Sequence, residues 1–259
     1  MPSISSTANP ARPVALVTGA SYGVGAAIAK VLARDGLDVA LTATRVQNLA
    51  AVLAEIAAAG GRAIAVELDL RSQANIETAV ARVIEEFGHI DMLVNNAGTN
   101  LRRKAVDVTR EEWDDMIATN LTGTFFLTQH VGRHLITRGA PGGIITVSST
   151  HGLVGAVDRS TYGIAKGALI QMTRMLAIEW ADHGIRVNAV APGRLDTPSP
   201  SRASTGSDKV YMEAMLKRIP LHRLATVEEV AGVVGFLAGA SAASITGQTI
   251  VVDCGLTAA

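Results

Sequence analysis

Two residues with complementary proton chemistry, Tyr162 and Lys166, stand four positions apart in the second half of the chain. In a helix this spacing places both side chains on one face, one turn apart. A nearby ammonium favours the phenolate, so we expect the pKa of Tyr162 to fall from about 10 toward working pH. A phenol of that kind can donate and accept a proton at a reacting oxygen. Because the pair is also commonplace in ordinary helices, its meaning depends on the rest of the chain.

Composition limits the classes of function. The 259 residues are 48% hydrophobic and carry 23 basic and 23 acidic side chains. A formal charge of zero gives no electrostatic footprint for nucleic acid or an anionic membrane. The only cysteine, Cys254, excludes an intrachain disulfide and a thiolate zinc cluster, and no metal site is predicted. The hydrophobic runs are short and interrupted, so no membrane span is expected.

Residues 1–12 are small and polar and lack the apolar core of a signal peptide. We therefore expect a short flexible leader on a soluble, cytoplasmic protein, with one domain over residues 13–259. Within that domain, strand and helix patterns alternate. The predicted strands are 13–18, 38–42, 62–68, 91–94, 143–148, 185–190 and 248–252, and the predicted helices are 23–34, 47–59, 72–87, 109–138, 159–183 and 226–238. This alternation predicts a doubly wound α/β fold with a seven-stranded parallel sheet, whose ligands bind at the carboxyl ends of the strands.

The first predicted strand runs into a glycine-rich turn with the spacing Gly19-x-x-x-Gly23-x-Gly25. Glycine permits positive φ and close backbone approach, and the helix that follows offers free N–H groups to a diphosphate. Such turns also occur without nucleotides. At the first strand–helix junction of an alternating chain, however, the turn predicts nucleotide binding.

Several motifs together resemble the short-chain dehydrogenase/reductase superfamily. They are Thr18-Gly19-x-x-x-Gly23-x-Gly25, Asn95-Asn96-Ala97-Gly98, Asn120, Ser149, Tyr162-x-x-x-Lys166 and Pro192-Gly193, in family order over nearly the whole chain. The resemblance implies a Rossmann-type sheet with helices on both faces. It also implies NAD(P)-dependent hydride transfer between nicotinamide and a ketone or secondary alcohol.

The resemblance assigns four catalytic residues. Tyr162 is the acid/base, and Lys166 lowers its pKa and binds the nicotinamide ribose. Ser149, thirteen positions before Tyr162, holds the substrate oxygen; the neighbouring Ser148 should point the opposite way if the strand alternates. Asn120 is unusual within a helix, which fits a backbone irregularity that binds a proton-relay water.

The resemblance also assigns the cofactor site. Its predicted residues are Gly19, Ser21, Tyr22, Gly23, Val24, Gly25, Thr44, Arg45, Asp69, Leu70, Asn96, Ala97, Gly98, Tyr162, Lys166, Pro192, Gly193, Leu195 and Thr197. NAD enzymes commonly place a carboxylate at the end of the second strand, where this chain has Ala43. Arg45 and Thr44 could instead bind a 2′-phosphate, so NADP(H) is favoured and NAD(H) is the alternative. Many NADP enzymes also carry a basic residue in the glycine turn, where this chain has Tyr22.

The substrate is less determined. Residues 194–218 are the predicted lid, and Thr150, His151, Val157, Tyr211 and Met212 are the predicted substrate contacts. We expect a small carbonyl, sugar or polyol substrate. The alternative is a 3-oxoacyl-[acyl-carrier-protein] reductase, and a remote one is a catalytically silent nucleotide-binding protein. By the same resemblance we expect a homotetramer paired through the apolar helix and strand near the C-terminus.

Overall fold

The computed structural model describes residues 12–195 and 207–259, with side chains described for all of these except 207–212. Residues 1–11, most of the predicted leader, lie outside the described residues, as does the lid segment 196–206. The strands are Val14–Val17 (β1), Asp38–Ala43 (β2), Ala63–Glu67 (β3), Met92–Asn95 (β4), Gly142–Val147 (β5), Ile185–Pro192 (β6) and Thr249–Val252 (β7). They form one parallel seven-stranded sheet in the order β3-β2-β1-β4-β5-β6-β7, which confirms the predicted fold class.

Helices cover both faces of this sheet. They are Gly23–Arg34 (α1), Ala50–Ala58 (α2), Gln73–Phe87 (α3), Arg110–Ile117 (α4), Thr124–Arg138 (α5), Ser160–Glu179 (α6), Ser207–Arg218 (α7) and Val227–Ala238 (α8). One apolar core lies between the sheet and α1, α2 and α8, and the other lies between the sheet and α3, α5 and α6. Strands buried on both faces explain why the sequence shows continuous apolar runs rather than alternation.

The order of the strands places the ligand-binding edge. The chain winds outward from β1 through β2 to β3, and then returns to β4 on the other side of β1. The loops after β1 and β4 therefore separate at a topological switch point, where open α/β sheets bind ligands. Within the described ranges, no helix combines the length and apolarity that crossing a membrane requires.

The predicted helix 109–138 is interrupted. It begins with the expected capping box, in which Glu112 N–H donates to Thr109 Oγ1 at 3.2 Å. Residues Ala118–Gly123 then form a π-helical segment between α4 and α5. A Cβ on Gly123 would lie 2.0 Å from the carbonyl oxygen of Leu70, so this segment packs directly against the loop after β3. The predicted helix 47–59 also differs, because it begins as the 3₁₀ turn Val46–Leu49.

His134 lies on α5 and packs near the amino end of β4, at the side of the sheet opposite the ligand-binding edge. Its titration makes the free energy of unfolding depend on pH. Ile90 N–H donates to His134 Nε2 at 3.2 Å. Burial lowers the pKa of His134, and the charges of Arg138 and His89 lower it further. Because the folded pKa lies below the unfolded value of about 6.5, this stabilising contribution is present above about pH 6.5 and is lost as pH falls through the folded pKa.

We therefore expect His134→Gln to have a free energy of unfolding that depends less on pH than that of the wild type between about pH 7.5 and 5.5. Urea denaturation at several pH values measures this dependence. His183→Gln changes an exposed ring and serves as the matched control. A pH dependence in His134→Gln equal to that of the wild type would contradict the assignment.

Candidate active site

The glycine-rich turn after β1 is held by the loop after β4. Thr18 Oγ1 accepts the N–H groups of Asn96 and Ala97, both at 2.9 Å. Asn96 Nδ2 in turn donates to the carbonyls of Thr18 and Gly19, each at 3.0 Å. A Cβ on Gly25 would lie 2.3 Å from the Gly19 carbonyl oxygen, so only glycine fits the start of α1. The two loops of the switch point therefore form one rigid unit.

This unit fits a dinucleotide. Gly19 and Gly23 have φ of +63° and +59°, a backbone conformation that glycine adopts without steric cost. The turn that they form leads directly into the first amides of α1. Tyr22 stands at the helix N-cap without a side-chain capping bond, and the first turn carries no acidic residue. The amides and the helix dipole at this point can therefore bind a diphosphate.

The end of β2 is the predicted position of the adenosine ribose. The strand ends at Ala43, and Thr44 and Arg45 directly after it are exposed. On the neighbouring strand, the loop after β3 places Asp69 and buried Leu70 at the same edge of the sheet. The Arg71 guanidinium holds the pKa of Asp69 below its ordinary value, mainly through a side-chain hydrogen bond. Asp69 is therefore a stable carboxylate at this position.

Asn120 lies in the π-helical segment and is completely buried. Its Oδ1 accepts the Thr99 N–H at 2.7 Å, and its Nδ2 donates to the Thr99 carbonyl at 2.9 Å. The irregularity that the sequence indicated at Asn120 is therefore present, and its side chain fixes the loop after β4. A Cβ on Gly98 would lie 3.1 Å from Asn120 Oδ1 and 3.7 Å from Lys166 Nζ, so this loop also meets the Tyr–Lys pair.

Lys166 and Tyr162 share one face of α6, as their spacing predicts. Lys166 is 5% exposed, and its Nζ donates to the Val147 carbonyl at 2.9 Å. Burial lowers the pKa of Lys166 to about 8. The lowered pKa still lies above neutral pH, so the side chain carries its positive charge there. The ammonium lies 5.7 Å from the centre of the Tyr162 ring, where its positive charge favours a phenolate.

The two serines after β5 have different partners. Ser148 Oγ donates to the Lys166 carbonyl at 2.8 Å and joins the strand to α6. Ser149 Oγ accepts the His151 N–H at 3.2 Å. The His151 ring lies edge-on to the Tyr162 ring, with centroids 6.1 Å apart. His151 therefore connects the position of Ser149 to that of Tyr162.

The remaining predicted site residues are less closely grouped. Gly193 follows Pro192 at the end of β6 and donates its N–H to the Val252 carbonyl at 3.0 Å. Leu195 is buried and forms an isolated parallel β-bridge with Ala225. Thr150 is almost fully buried, whereas Val157 is 85% exposed on the loop before α6. Thr197 lies outside the described residues, and so do the side chains of Tyr211 and Met212.

Comparison with known proteins supplies the family. A family model described as enoyl-(acyl carrier protein) reductase matches residues 19–257. The chain is 39% identical to the 3-oxoacyl-[acyl-carrier-protein] reductase of Escherichia coli, covering 94% of this chain and 96% of that one. This chain belongs to the short-chain dehydrogenase/reductase superfamily.

Two other members extend the comparison. The chain is 35% identical to gluconate 5-dehydrogenase of Gluconobacter oxydans, covering 94% of both chains. A crystal structure of an actinorhodin polyketide ketoreductase variant with NADPH superposes with a TM-score of 0.88 at 36% identity, covering 96% of this chain and 99% of that one. The chain is thus an NAD(P)-dependent oxidoreductase acting on ketones and secondary alcohols, which confirms the predicted reaction class.

Three residues that support the site were not among the predicted site residues. Thr18 bonds the loop after β1 to the loop after β4. The backbone of Thr99 donates to and accepts from the Asn120 side chain. Arg159 donates to Asn100 and to the Leu101 carbonyl on the loop after β4. Thr18 stands within the glycine motif, so its position was visible in the sequence. The other two act through contacts between segments far apart in the chain.

The close contact at Gly25 predicts that Gly25→Ala weakens cofactor binding. The new Cβ would also lie 2.5 Å from Asn96 Nδ2, so the turn has to shift. We expect the Kd for NADPH or NADH, whichever the wild type binds tighter, to rise at least about tenfold, or about 1.4 kcal/mol. Titration of nicotinamide fluorescence measures it.

Gly232→Ala on α8 is the matched control, because nothing lies within 4 Å of its added Cβ. This variant should keep the wild-type affinity for the cofactor. Wild-type affinity in a folded Gly25→Ala protein would contradict the proposed rigidity of the turn.

Proposed function

We propose that the protein is an NADP(H)-preferring reductase or dehydrogenase of a small carbonyl, sugar or polyol. In reduction, a ketone, NADPH and one proton give a secondary alcohol and NADP⁺. The observation that supports the proposal best is the buried Lys166 ammonium beside Tyr162, since it provides a charge that tunes a proton donor.

The described residues have separate roles in this proposal. Tyr162 donates its hydroxyl proton to the carbonyl oxygen, or accepts the alcohol proton in the reverse direction. Ser149 donates a hydrogen bond to the same oxygen and stabilises the charge that develops there. Lys166 favours the phenolate, and Asn120 holds the loop at Gly98 against the site. The bound nicotinamide supplies or accepts the hydride.

The NADP(H) preference is supported by charge at the end of β2. Ala43 offers no carboxylate to a ribose 2′-hydroxyl, and Arg45 is exposed directly after it. A guanidinium there can form a charge-assisted bond with a 2′-phosphate. The similar polyketide ketoreductase was solved with NADPH, which supports the same assignment.

Substrate choice separates two candidates. The likeness to gluconate 5-dehydrogenase favours a sugar or polyol type, and the likeness to the Escherichia coli enzyme favours an acyl-carrier substrate. A carrier protein is acidic and needs basic contacts near the entrance. Arg138, the nearest cation before β5, instead binds Asp91 and the Ile90 carbonyl at the edge of the sheet opposite the ligand-binding edge. His183 stands beside Asp182. We therefore favour the small substrate.

The homotetramer and the cytoplasmic location remain predictions. For the tetramer, the supporting observation is apolar surface on α8 and β7, where Phe236 is 45% exposed and Val251 is 38% exposed. Pairing of these elements between copies would bury that surface.

Tyr162→Phe tests the catalytic assignment. Removing the hydroxyl removes the proton donor and leaves the ring, so kcat for a reducible ketone should fall at least about 10²-fold while NADPH binding persists. Absorbance of NADPH in steady-state assays measures kcat. Activity equal to that of the wild type would favour the silent nucleotide-binding alternative, or another proton donor.

Arg45→Gln tests the cofactor assignment. Wild-type protein should bind NADPH at least about tenfold tighter than NADH, and the variant should lose most of that difference through weaker NADPH binding. Arg34→Gln, at an exposed guanidinium on the far end of α1, is the control. Tighter NADH binding by the wild type would reverse the preference and direct the substrate search to polyol oxidation with NAD.

A further inference from the structure

The 3₁₀ turn Thr150–Gly152, which follows β5, packs directly against the backbone of α6. A Cβ on Gly163 would lie 2.8 Å from the His151 carbonyl oxygen. A Cβ on Gly152 would lie 2.7 Å from the carbonyl carbon of Lys166. Both separations are too short for a side chain, so glycine is required at each position. The turn and the helix therefore meet backbone to backbone.

His151, in the middle of this turn, contacts both the serine and the tyrosine of the site. Its N–H donates to Ser149 Oγ at 3.2 Å. Its ring lies edge-on to the Tyr162 ring, with 6.1 Å between the centroids. Its carbonyl oxygen lies against Gly163, which directly follows Tyr162 in α6. The contact with Gly163 therefore limits how far the turn, and Ser149 with it, can lie from the tyrosine.

Ser148 fixes the same junction from the side of the sheet. It is buried, and its Oγ donates to the Lys166 carbonyl at 2.8 Å. Its N–H donates to the Val190 carbonyl of β6 at 2.7 Å. The residue before Ser149 is therefore bonded to a strand on one side and to α6 on the other. Ser149 cannot move along the helix unless these bonds break.

The hydrogen bond from His151 also orients the Ser149 hydroxyl. A hydroxyl has one proton to donate and two lone pairs that accept. The His151 N–H occupies one lone pair, which leaves the proton of Ser149 for another acceptor. In the proposed function that acceptor is the substrate oxygen, to which Tyr162 also donates. Two donors aligned on one oxygen require a fixed separation between them.

We infer that Gly163 and Ser148 are positioning residues for the reaction. They hold the turn Thr150–Gly152 against α6, and the position of this turn sets the separation between the Ser149 hydroxyl and the Tyr162 phenol. Gly163 acts because it has no side chain, and Ser148 acts through its bond to the helix backbone. The inference rests on the proposed function for the roles of Ser149 and Tyr162.

Gly163→Ala tests the inference. Its Cβ would push the His151 carbonyl, and the turn with it, away from α6. We expect kcat for a reducible ketone to fall at least about tenfold, because the two donors lose their alignment, while the Kd for the preferred reduced cofactor stays unchanged. Gly167→Ala is the matched control. It lies one turn further along the same helix, and its Cβ would lie 3.4 Å from the Gly152 carbonyl oxygen, an ordinary contact. This control should keep the wild-type kcat.

A double-mutant cycle shows whether the loss is transmitted through Ser149. Gly163→Ala should cost at least about tenfold in kcat in the wild type and less than about twofold in the Ser149→Ala protein, where no hydroxyl remains to be positioned. A substitution that only disturbs the fold would lower kcat by the same factor in both proteins. Equal factors, or wild-type kcat in a folded Gly163→Ala protein, would overturn the inference.

Ser148→Ala is the second variant, and it adds no atoms to the junction. It removes the bond to the Lys166 carbonyl, so kcat should fall, and the loss should again be smaller in the Ser149→Ala protein. This variant decides the question if Gly163→Ala does not fold. Equal losses with and without the Ser149 hydroxyl would then overturn the inference.

A measurement of geometry separates the inference from the proposed function. The ring protons of His151 and Tyr162 lie near each other, and a nuclear Overhauser contact between them can be followed in protein labelled at histidine and tyrosine. The contact should be lost in Gly163→Ala and kept in Gly167→Ala. That result supports the positioning role even if the wild type reduces no ketone, which would contradict the proposed function alone. An unchanged contact in Gly163→Ala would overturn the inference.

Discussion

The Lys166 ammonium is buried where α6, the end of β5 and the loop after β4 meet. A charge in such a place is unfavourable unless it has partners, and the described one is the Val147 carbonyl at 2.9 Å. Burial disfavours the charged form and lowers the pKa of Lys166 to about 8. In low dielectric the same charge acts strongly on the neighbouring phenol. Much of the surrounding structure serves to place this group: Ser148 joins β5 to the backbone of Lys166, and Gly98 leaves room beside its Nζ.

The loop after β4 connects the cofactor side of the site with the catalytic side. At its start, Asn96 and Ala97 are bonded to Thr18 and the glycine turn. Further on, Thr99 is bonded to Asn120, and Asn100 is bonded to Arg159. This short loop is therefore hydrogen-bonded to the turn after β1, to the π-helical segment and to the start of α6. Such cross-connection keeps the proton-transfer groups and the nucleotide turn in fixed relative positions, which hydride transfer requires because the reacting atoms have to be aligned.

The π-helical segment shows how local irregularity serves the site. A regular helix over 109–138 would satisfy its own backbone, and the capping box at Thr109 starts one. The segment Ala118–Gly123 departs from that geometry where Asn120 is bonded to Thr99 and Gly123 packs against the Leu70 carbonyl. Both contacts lie between segments distant in sequence, so tertiary packing overrides the local helical preference.

The sequence alone determined the order of elements, the parallel sheet, the glycine turn and the Tyr162–Lys166 pair, because periodicity and short motifs are local properties. It placed α1 at the residues the structure shows, and it marked Asn120 as unusual. Tertiary structure decided what depends on approach between distant segments: the burial of Lys166, the separate partners of Ser148 and Ser149, and the meeting of Arg159 with the Asn100 loop. Burial and pairing are set by the whole fold, and no local pattern contains them.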